Sequence, residues 1–428
     1  MDIEKYLDSF FKGTKNPSLR AMKYFMEEFD HPEKDLKFLH IAGTNGKGSC
    51  AEMMTNVLMR AGYRVGKFMS PHLIKYNERI SVQNKNISDE DMERLIKNIK
   101  PKIDKYNSSN SEKITLFELE TTMAILYFNE SDCDFVVLET GLGGMYDCTN
   151  IVNPVVSIIT SIGYDHMDIL GNTLAEIAEQ KAGIIKENSD TIFVKQEEND
   201  VNDIIEKVCR QKNNKLHLVK REDISNYSYD NNFLKFDYKN YKDVWINLKG
   251  EKQVFNASVC IECVNVLRNK SYDISDNDLR EGLKTVIHKG RFEKISSNPL
   301  IIFDGAHNIP AINNFVSSVD MYYKDWKRVY VISILNTKDY KAVLRKLLED
   351  DGSVFIFTNG NDKSRYFDKS ELLNFAKECT ENDKLYAFDL GEAINVVKEQ
   401  YKNCVTFCVG SFYVYGTVIE MLKGNKND

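Results

Sequence analysis

Leu36-Lys37-Phe38-Leu39-His40-Ile41-Ala42-Gly43-Thr44-Asn45-Gly46-Lys47-Gly48-Ser49 is the stretch that decides the fold. Leu36 to Ile41 reads as an extended apolar segment, a glycine-rich turn follows, and a helical pattern runs from about Lys47 to Ala61, where Gly62 can terminate it. Strand, glycine-rich turn and helix in that order make a phosphate loop. Glycines let the backbone wrap closely round phosphate oxygens, the helix N-terminus adds positive potential, and Lys47 supplies a point charge. The spacing departs from the common Walker pattern, because Ile41 stands where the leading glycine is usual and Gly48 separates the lysine from the Ser49 hydroxyl. Gly43, Thr44, Asn45, Gly46, Lys47, Gly48 and Ser49 are therefore expected to hold a nucleotide triphosphate.

A nucleotide phosphate needs a magnesium ion, which takes oxygen ligands and keeps some of its water. Glu139 ends the apolar run Phe135-Val136-Val137-Leu138, and Gly141, Gly143 and Gly144 follow it in a turn. That is a Walker B arrangement with glutamate as the acid. His166, in Gly163-Tyr164-Asp165-His166, lies just beyond the strand-like Val155 to Ile159 and can project from the carboxyl edge of a sheet, where ligands of open α/β folds gather. Ser70, in Met69-Ser70-Pro71-His72, is indistinguishable from a turn residue by composition.

Outward from this centre, strands alternate with helices, which indicates a mostly parallel sheet. A short strand is expected near Arg64 to Phe68 and a helix from Thr173, where Thr173 and Glu176 have capping-box spacing, to about Ile185. Lys181 lies on that helix. Residues 212–250 suggest short antiparallel strands and loops, followed by a helix from about Ala257 to Asn269. Near Gly290 the pattern restarts. Leu300 to Phe303, Arg328 to Leu335, Ser353 to Thr358 and Val405 to Val409 read as strands, and Pro310 suits the first turn of a helix. The 428 residues exceed what one compact core usually holds. We expect an α/β chain with a P-loop-containing, mostly parallel sheet domain over residues 1–289 and a smaller C-terminal Rossmann-like α/β domain over 290–428.

Composition excludes several classes. The net charge of -7 argues against a nucleic-acid partner. No apolar run is long enough to span a membrane. The opening MDIEKYLDSFFKGTK has acids and no apolar signal region, so a cytoplasmic location is expected. Nine cysteines at irregular spacings suit free thiols, and Cys260 with Cys263 falls inside a helical apolar pattern without a second pair.

Taken together the motifs resemble the folylpolyglutamate synthase and dihydrofolate synthase family of the Mur ligase superfamily. The matching pieces are HIAGTNGKGS (His40 to Ser49), SPHL (Ser70 to Leu73), NERI (Asn77 to Ile80), LETGLGGMYDCTN (Leu138 to Asn150), DHMDILGNT (Asp165 to Thr173) and KAGIIK (Lys181 to Lys186). GRFE (Gly290 to Glu293), DGAHN (Asp304 to Asn308) and GSFY (Gly410 to Tyr413) complete the series in family order. The resemblance implies a Mur-type fold, ATP and Mg2+, and small-molecule substrates: a folate or dihydropteroate, and L-glutamate. It implies magnesium ligation by Ser70, Glu139 and His166, and nucleotide contacts from Asn256, Arg291, Asp304 and His307, with the active site in a cleft between domains. Lys47, Lys181 and His307 are the implied catalytic residues, Lys181 as a carbamate. Thr115, Leu116, Phe117 and Glu118, with Tyr146, Asp147 and Cys148, match places that contact the pterin-bearing substrate, although Phe117 and Leu119 also fit a core stripe. Met145 and Tyr146 stand where many relatives have arginine and leucine, a departure that bears on pterin contact, and Gln180 stands where glutamate is frequent, beside the implied carbamate, where it should only tune the surroundings.

The implied chemistry is amide formation through an acyl phosphate, carried out by a monomer. A peptidoglycan-precursor ligase would share loop, metal and carbamate, but SPHL, NERI and the GLGG segment favour the folate branch. A GTPase switch is the rival from another class. Asn336-Thr337-Lys338-Asp339 is one residue short of the guanine-specificity spacing.

Overall fold

The computed structural model describes residues 2–11, 18–229, 233–360 and 362–423, and in it the chain forms two compact units. The first runs to Tyr229 and takes in Lys235–Asn247 and Gln253–Val286; the second holds Leu248–Lys252 and the chain from Ile287 onward.

The first unit is built on eight strands: β1 (Phe38–Ala42), β2 (Val65–Phe68), β3 (Ile80–Val82), β4 (Lys85–Asn86), β5 (Phe135–Glu139), β6 (Val156–Ile159), β7 (Asp190–Val194) and β8 (Lys215–Val219). Their order is β4-β3-β2-β5-β1-β6-β7-β8. All neighbours from β2 to β8 are parallel, and at one edge β3 pairs antiparallel with both β2 and β4. The runs FLHIA, FVVLE and VSII are buried at every position, as parallel strands covered on both faces must be. Parallel pairing brings the carboxyl ends of β2, β5, β1 and β6 to one edge. Ile41 lies opposite Glu139, and Ala42 opposite Ile159, so those ends are level.

Helices α1 (Lys47–Arg60), α2 (Leu116–Glu130), α3 (Leu174–Ala182) and α4 (Lys252–Asn269) matter for the site. The capping box of α3 is formed: Glu176 N–H donates to Thr173 Oγ1 at 3.2 Å, and Thr173 N–H donates to Glu176 Oε2 at 3.0 Å. Its α-helical pairing stops at Ala182, short of the expected Ile185, because Gly183, Ile184 and Ile185 donate instead to carbonyls three residues back. Helix α4 begins earlier than its apolar pattern indicates, at Lys252. Residues 212–250 also differ from expectation at their start: β8 joins the main sheet parallel to β7. The remainder forms a separate three-stranded sheet of β9 (Ile224–Tyr229), β10 (Leu234–Tyr238) and β11 (Tyr241–Ile246).

The second unit has six strands: β12 (Glu293–Ser297), β13 (Leu300–Asp304), β14 (Arg328–Ile332), β15 (Val354–Phe357), β16 (Leu385–Ala387) and β17 (Val405–Val409). The order is β12-β13-β17-β14-β15-β16, with β12 antiparallel and the rest parallel. Helix α5 (Ile309–Tyr323) starts where Ala311 N–H donates to Asn308 Oδ1 at 3.0 Å, with Pro310 in its first turn. Tyr330 stacks on Phe355 and Phe407 at centroid distances of 5.1 and 5.4 Å in its core. The nine cysteines are free thiols, Cys260 and Cys263 being buried in α4. No described helix is long and apolar enough to cross a membrane.

Candidate nucleotide and ligation site

The loop between β1 and α1 is tied to the segment that follows β6. Thr44 N–H donates to Ser161 O at 2.6 Å, Thr44 Oγ1 donates to Gly163 O at 3.0 Å, and Asn45 N–H donates to Ser161 Oγ at 3.1 Å. Thr160 Oγ1 donates in turn to Asn45 O at 2.7 Å. Gly46 caps α1 in the left-handed region, with φ 94°, and as a glycine brings no side chain to the first turn. The first turn lies at the positive end of the helix, which suits an anion. Lys47 Nζ folds back onto the carbonyl of Gly43 at 3.0 Å, so the ammonium stands over the loop. Gly48 and the buried Ser49 complete it.

Asn256 reaches the loop from α4. A Cβ on Gly46 would meet its Oδ1 at 2.6 Å. Asn256 Nδ2 donates to Gln253 Oε1 at 2.9 Å, and Gln253 Nε2 donates to Ser49 Oγ at 3.2 Å. Gln253 is a site residue that motif reading passed over; its spacing of three from Asn256 on one helix face is the signal that could have revealed it.

At the adjoining strand ends, Ser70 N–H donates to Glu139 Oε2 at 3.2 Å, so two of the three expected magnesium ligands are together. His166 is exposed in the left-handed region at φ 50°, before a short helix Met167–Leu170, with Nε2 3.8 Å from Asp165 Oδ1. Lys181 is only 3 % exposed. Burial lowers its amine to about 7, Lys47 adds to that lowering, and Asp165 and Asp147 oppose it. Lys47, Lys181, Asp147 and Asp165 are thus within electrostatic reach of one another.

The expected substrate contacts divide. Thr115 and Glu118 form the capping box of α2, where Thr115 N–H and Oγ1 donate to Glu118 Oε2 at 2.7 and 2.8 Å. Burial raises the Glu118 carboxyl despite those bonds. Leu116 is core, and Phe117 packs against Phe68 at 5.6 Å and so close to Gly141 that a Cβ there would meet its ring at 2.5 Å. Tyr146 is 48 % exposed. The Asp147 carboxylate is turned inward, taking Leu142 N–H at 2.7 Å and Thr149 N–H at 3.0 Å. Burial pushes the Cys148 thiol well above its ordinary value, with Asp147 adding to the shift.

In the second unit, Arg291 lies over the Phe412 ring at 4.3 Å and His307 meets the same ring edge-on at 6.0 Å. His307 Nδ1 donates to Gly305 O at 2.7 Å. Asp304, at the end of β13, accepts from Phe292 N–H at 2.9 Å and Ala306 N–H at 2.7 Å; burial raises it and Arg291 counteracts.

Residues 41–264 match the model of the Mur ligase middle domain, and residues 288–421 that of the dihydrofolate synthetase C-terminal domain. The chain is 35 % identical to a dihydrofolate synthase/folylpolyglutamate synthase of Bacillus subtilis, over 87 % of this chain and 89 % of that protein. It is 33 % identical to a dihydrofolate synthetase of Saccharomyces cerevisiae, over 79 % and 80 % of the two chains. Among solved structures, a Mycobacterium tuberculosis folylpolyglutamate synthase complexed with ADP and AMPPCP aligns at TM-score 0.87 and 26 % identity, covering 100 % of this chain and 98 % of that one. With the loop, the strand-end acid and the buried lysine in place, these matches show that the chain belongs to the dihydrofolate synthase/folylpolyglutamate synthase family of Mur-type ligases.

Proposed function

We propose that this ligase uses ATP to activate a pteroyl carboxylate and joins it to the amino group of L-glutamate, with dihydropteroate as the favoured acceptor. The observation that carries the reading is the gathering, along one sheet edge, of Lys47, the Ser70–Glu139 pair and the buried Lys181. The preference for dihydropteroate is supported by the dihydrofolate synthetase model over residues 288–421. Extension of an existing folate by further glutamate is the second reading, supported by the dual name of the Bacillus subtilis relative.

A carboxylate is a poor electrophile, so the acceptor oxygen first takes the γ-phosphoryl of ATP, giving an acyl phosphate and ADP. The glutamate amine then attacks the carbonyl carbon, the C–O bond to phosphate breaks, and the amine loses its proton. Phosphoryl transfer asks the protein for alignment and charge compensation. Lys47 and the first-turn amides of α1 supply both. The Ser70 backbone N–H donates to the Glu139 carboxylate, and the Ser70 hydroxyl, the Glu139 carboxylate and His166 would be the ligands of a hard cation that keeps part of its water. A magnesium ion held by these residues would supply positive charge against the phosphate oxygens. Lys181, with an amine near 7, offers a neutral nitrogen to CO2 at physiological pH; the resulting carbamate, formed with release of one proton, would turn a cation into an anion on a long stem.

Asn256, Arg291, Asp304 and His307 serve the nucleotide in this reading, and Thr115–Glu118 with Tyr146–Cys148 the pteroyl group. The domains are assigned as residues 1–289 and 290–428, in a cytoplasmic monomer. The test is incubation with ATP, magnesium and labelled glutamate, offering dihydropteroate and tetrahydrofolate in separate reactions. Orthophosphate released in step with a new amide to dihydropteroate is expected; release with neither acceptor would end the reading.

A further inference from the structure

His40 sits in the middle of β1, opposite Leu138 on one side and Ser157 on the other, with none of its surface exposed. An imidazole in such a strand is costly unless its polar atoms are used. Its Nε2 lies 2.7 Å from Thr149 Oγ1, and Thr149 Oγ1 is hydrogen-bonded to Asp147 Oδ1. Asp147 also takes the N–H groups of Thr149 and, through Oδ2, of Leu142. Burial raises the Asp147 carboxyl, and the bonds it accepts from the Thr149 hydroxyl and the N–H groups work against that rise, with both of its oxygens engaged as acceptors. The single Thr149 hydroxyl proton therefore goes to Asp147, and Nε2 of His40 must be the donor in its own bond. The remaining ring nitrogen, Nδ1, is buried without a hydrogen-bond partner. An acceptor left in that state is more tolerable than an orphaned N–H, which again places the proton on Nε2.

We propose that His40 is a positioning residue of the ligation site, whose Nε2–H holds Thr149, through it Asp147, and through Asp147 the Gly141–Gly144 turn. The path continues to the lysine helix. Met145 N–H donates to Gln180 O at 2.7 Å, and Gly144 is pressed so closely on α3 that a Cβ there would stand 2.8 Å from Gln180 O and 2.9 Å from Lys181 O. The strand that feeds the phosphate loop is thereby tied to the turn carrying Tyr146 and Cys148 and to the backbone of Lys181. Burial, reinforced by Lys186, lowers the imidazole to about 3, so the donor is in place across physiological pH. Thr149 is the fully buried link between His40 and Asp147, and it carries no charge. Its substitution should therefore be felt as misplacement of the pteroyl group, an effect that rests on the ligase reading above.

The experiment pairs two readouts on the full chain. In 15N-histidine NMR from pH 5 to 9, the His40 ring, assigned by its loss in His40→Gln, is expected as a neutral Nε2–H tautomer that does not titrate. An Nδ1–H tautomer, or a ring that titrates in that range, overturns the proposal. In kinetics, Thr149→Val is expected to raise KM for the pteroyl acceptor by about tenfold or more while ATP affinity stays within about twofold, and Thr149→Ser, which keeps the hydroxyl, to lie within about threefold of the parent. An unchanged KM in Thr149→Val, or ATP affinity falling in parallel with it, overturns the positioning role. Should Thr149→Val fail to fold, the tautomer measurement and Thr149→Ser still decide. A parent chain that ligates nothing defeats the ligase reading instead, and leaves the tautomer result standing.

Discussion

Gly43 and Thr160 approach so closely that a Cβ on the glycine would stand 1.9 Å from Thr160 Oγ1, at a backbone φ of 148°. The phosphate loop can take its shape only because that side of residue 43 is empty. Gly43→Ala is expected to lose at least about 1–3 kcal/mol of stability and to abolish measurable ATP binding, because the loop must move off the β6 segment. Calorimetric titration with ATP and thermal melting check both parts.

Ser70 and Glu139 share a hydrogen bond at the ends of β2 and β5. If they hold magnesium, Glu139→Ala removes the charged ligand and should reduce ligation by more than about a hundredfold, whereas Ser70→Ala should raise the half-saturating magnesium concentration by about tenfold. A magnesium titration of initial rates separates the two outcomes. Equal magnesium dependence in all three proteins would remove the pair from the metal site.

The Lys181 amine lies near 7 in the fold against 10.5 for a free lysine. Between those values the unfolded chain holds a proton there that the folded chain lacks, so stability rises with pH across that window. Below about pH 7 the full cost of burying the ammonium remains. In CO2-free buffer, Lys181→Met should therefore stabilise the protein more at pH 6 than at pH 9, by a difference on the order of 2–3 kcal/mol, as read by urea midpoints. Stabilisation that is independent of pH would contradict the lowered amine.

With CO2 present, the same neutral amine should give a carbamate visible by 13C NMR on labelled bicarbonate, and stripping CO2 should lower the ligation rate reversibly. Lys181→Ala should bind ATP within about threefold of the parent and lose most ligation. Full ligation by that variant would refute the role given to Lys181.

Gln253 gives one hydrogen bond to Ser49 and receives one from Asn256. Gln253→Leu takes a partner from each, and is expected to cost about 1–3 kcal/mol and to weaken ATP binding severalfold, seen by melting and by nucleotide titration.

The strand, glycine loop and helix at Leu36–Ala61 were legible because apolar periodicity and glycine position are local properties, and the same holds for the capping box at Thr173 and Pro310 in the first turn of α5. The end of α3 was less so, since the switch to three-residue turns at Gly183 depends on contacts with Met145 and Asn150 from elsewhere in the chain. The β8 assignment failed for a related reason: Lys215–Val219 has the polar alternation of an edge strand, and which sheet it borders is a tertiary fact. At the site, the loop residues and Glu139 could be read from spacing, whereas Lys181 looked like an ordinary helix lysine until its burial beside Lys47 was seen. His40 lay inside the quoted strand without attracting notice. Only the arrival of Thr149, 109 residues away, gives its ring a task.

The straps between Thr44, Asn45 and the 160–163 segment carry a consequence for variation in this chain. Thr160, Ser161 and Gly163 hold the loop in place from outside it, yet a survey of inactive variants would score them as though they touched the nucleotide. Disease-style or resistance mutations collected there would be misread as losses of contact, when what had failed was the mould in which the contact is cast.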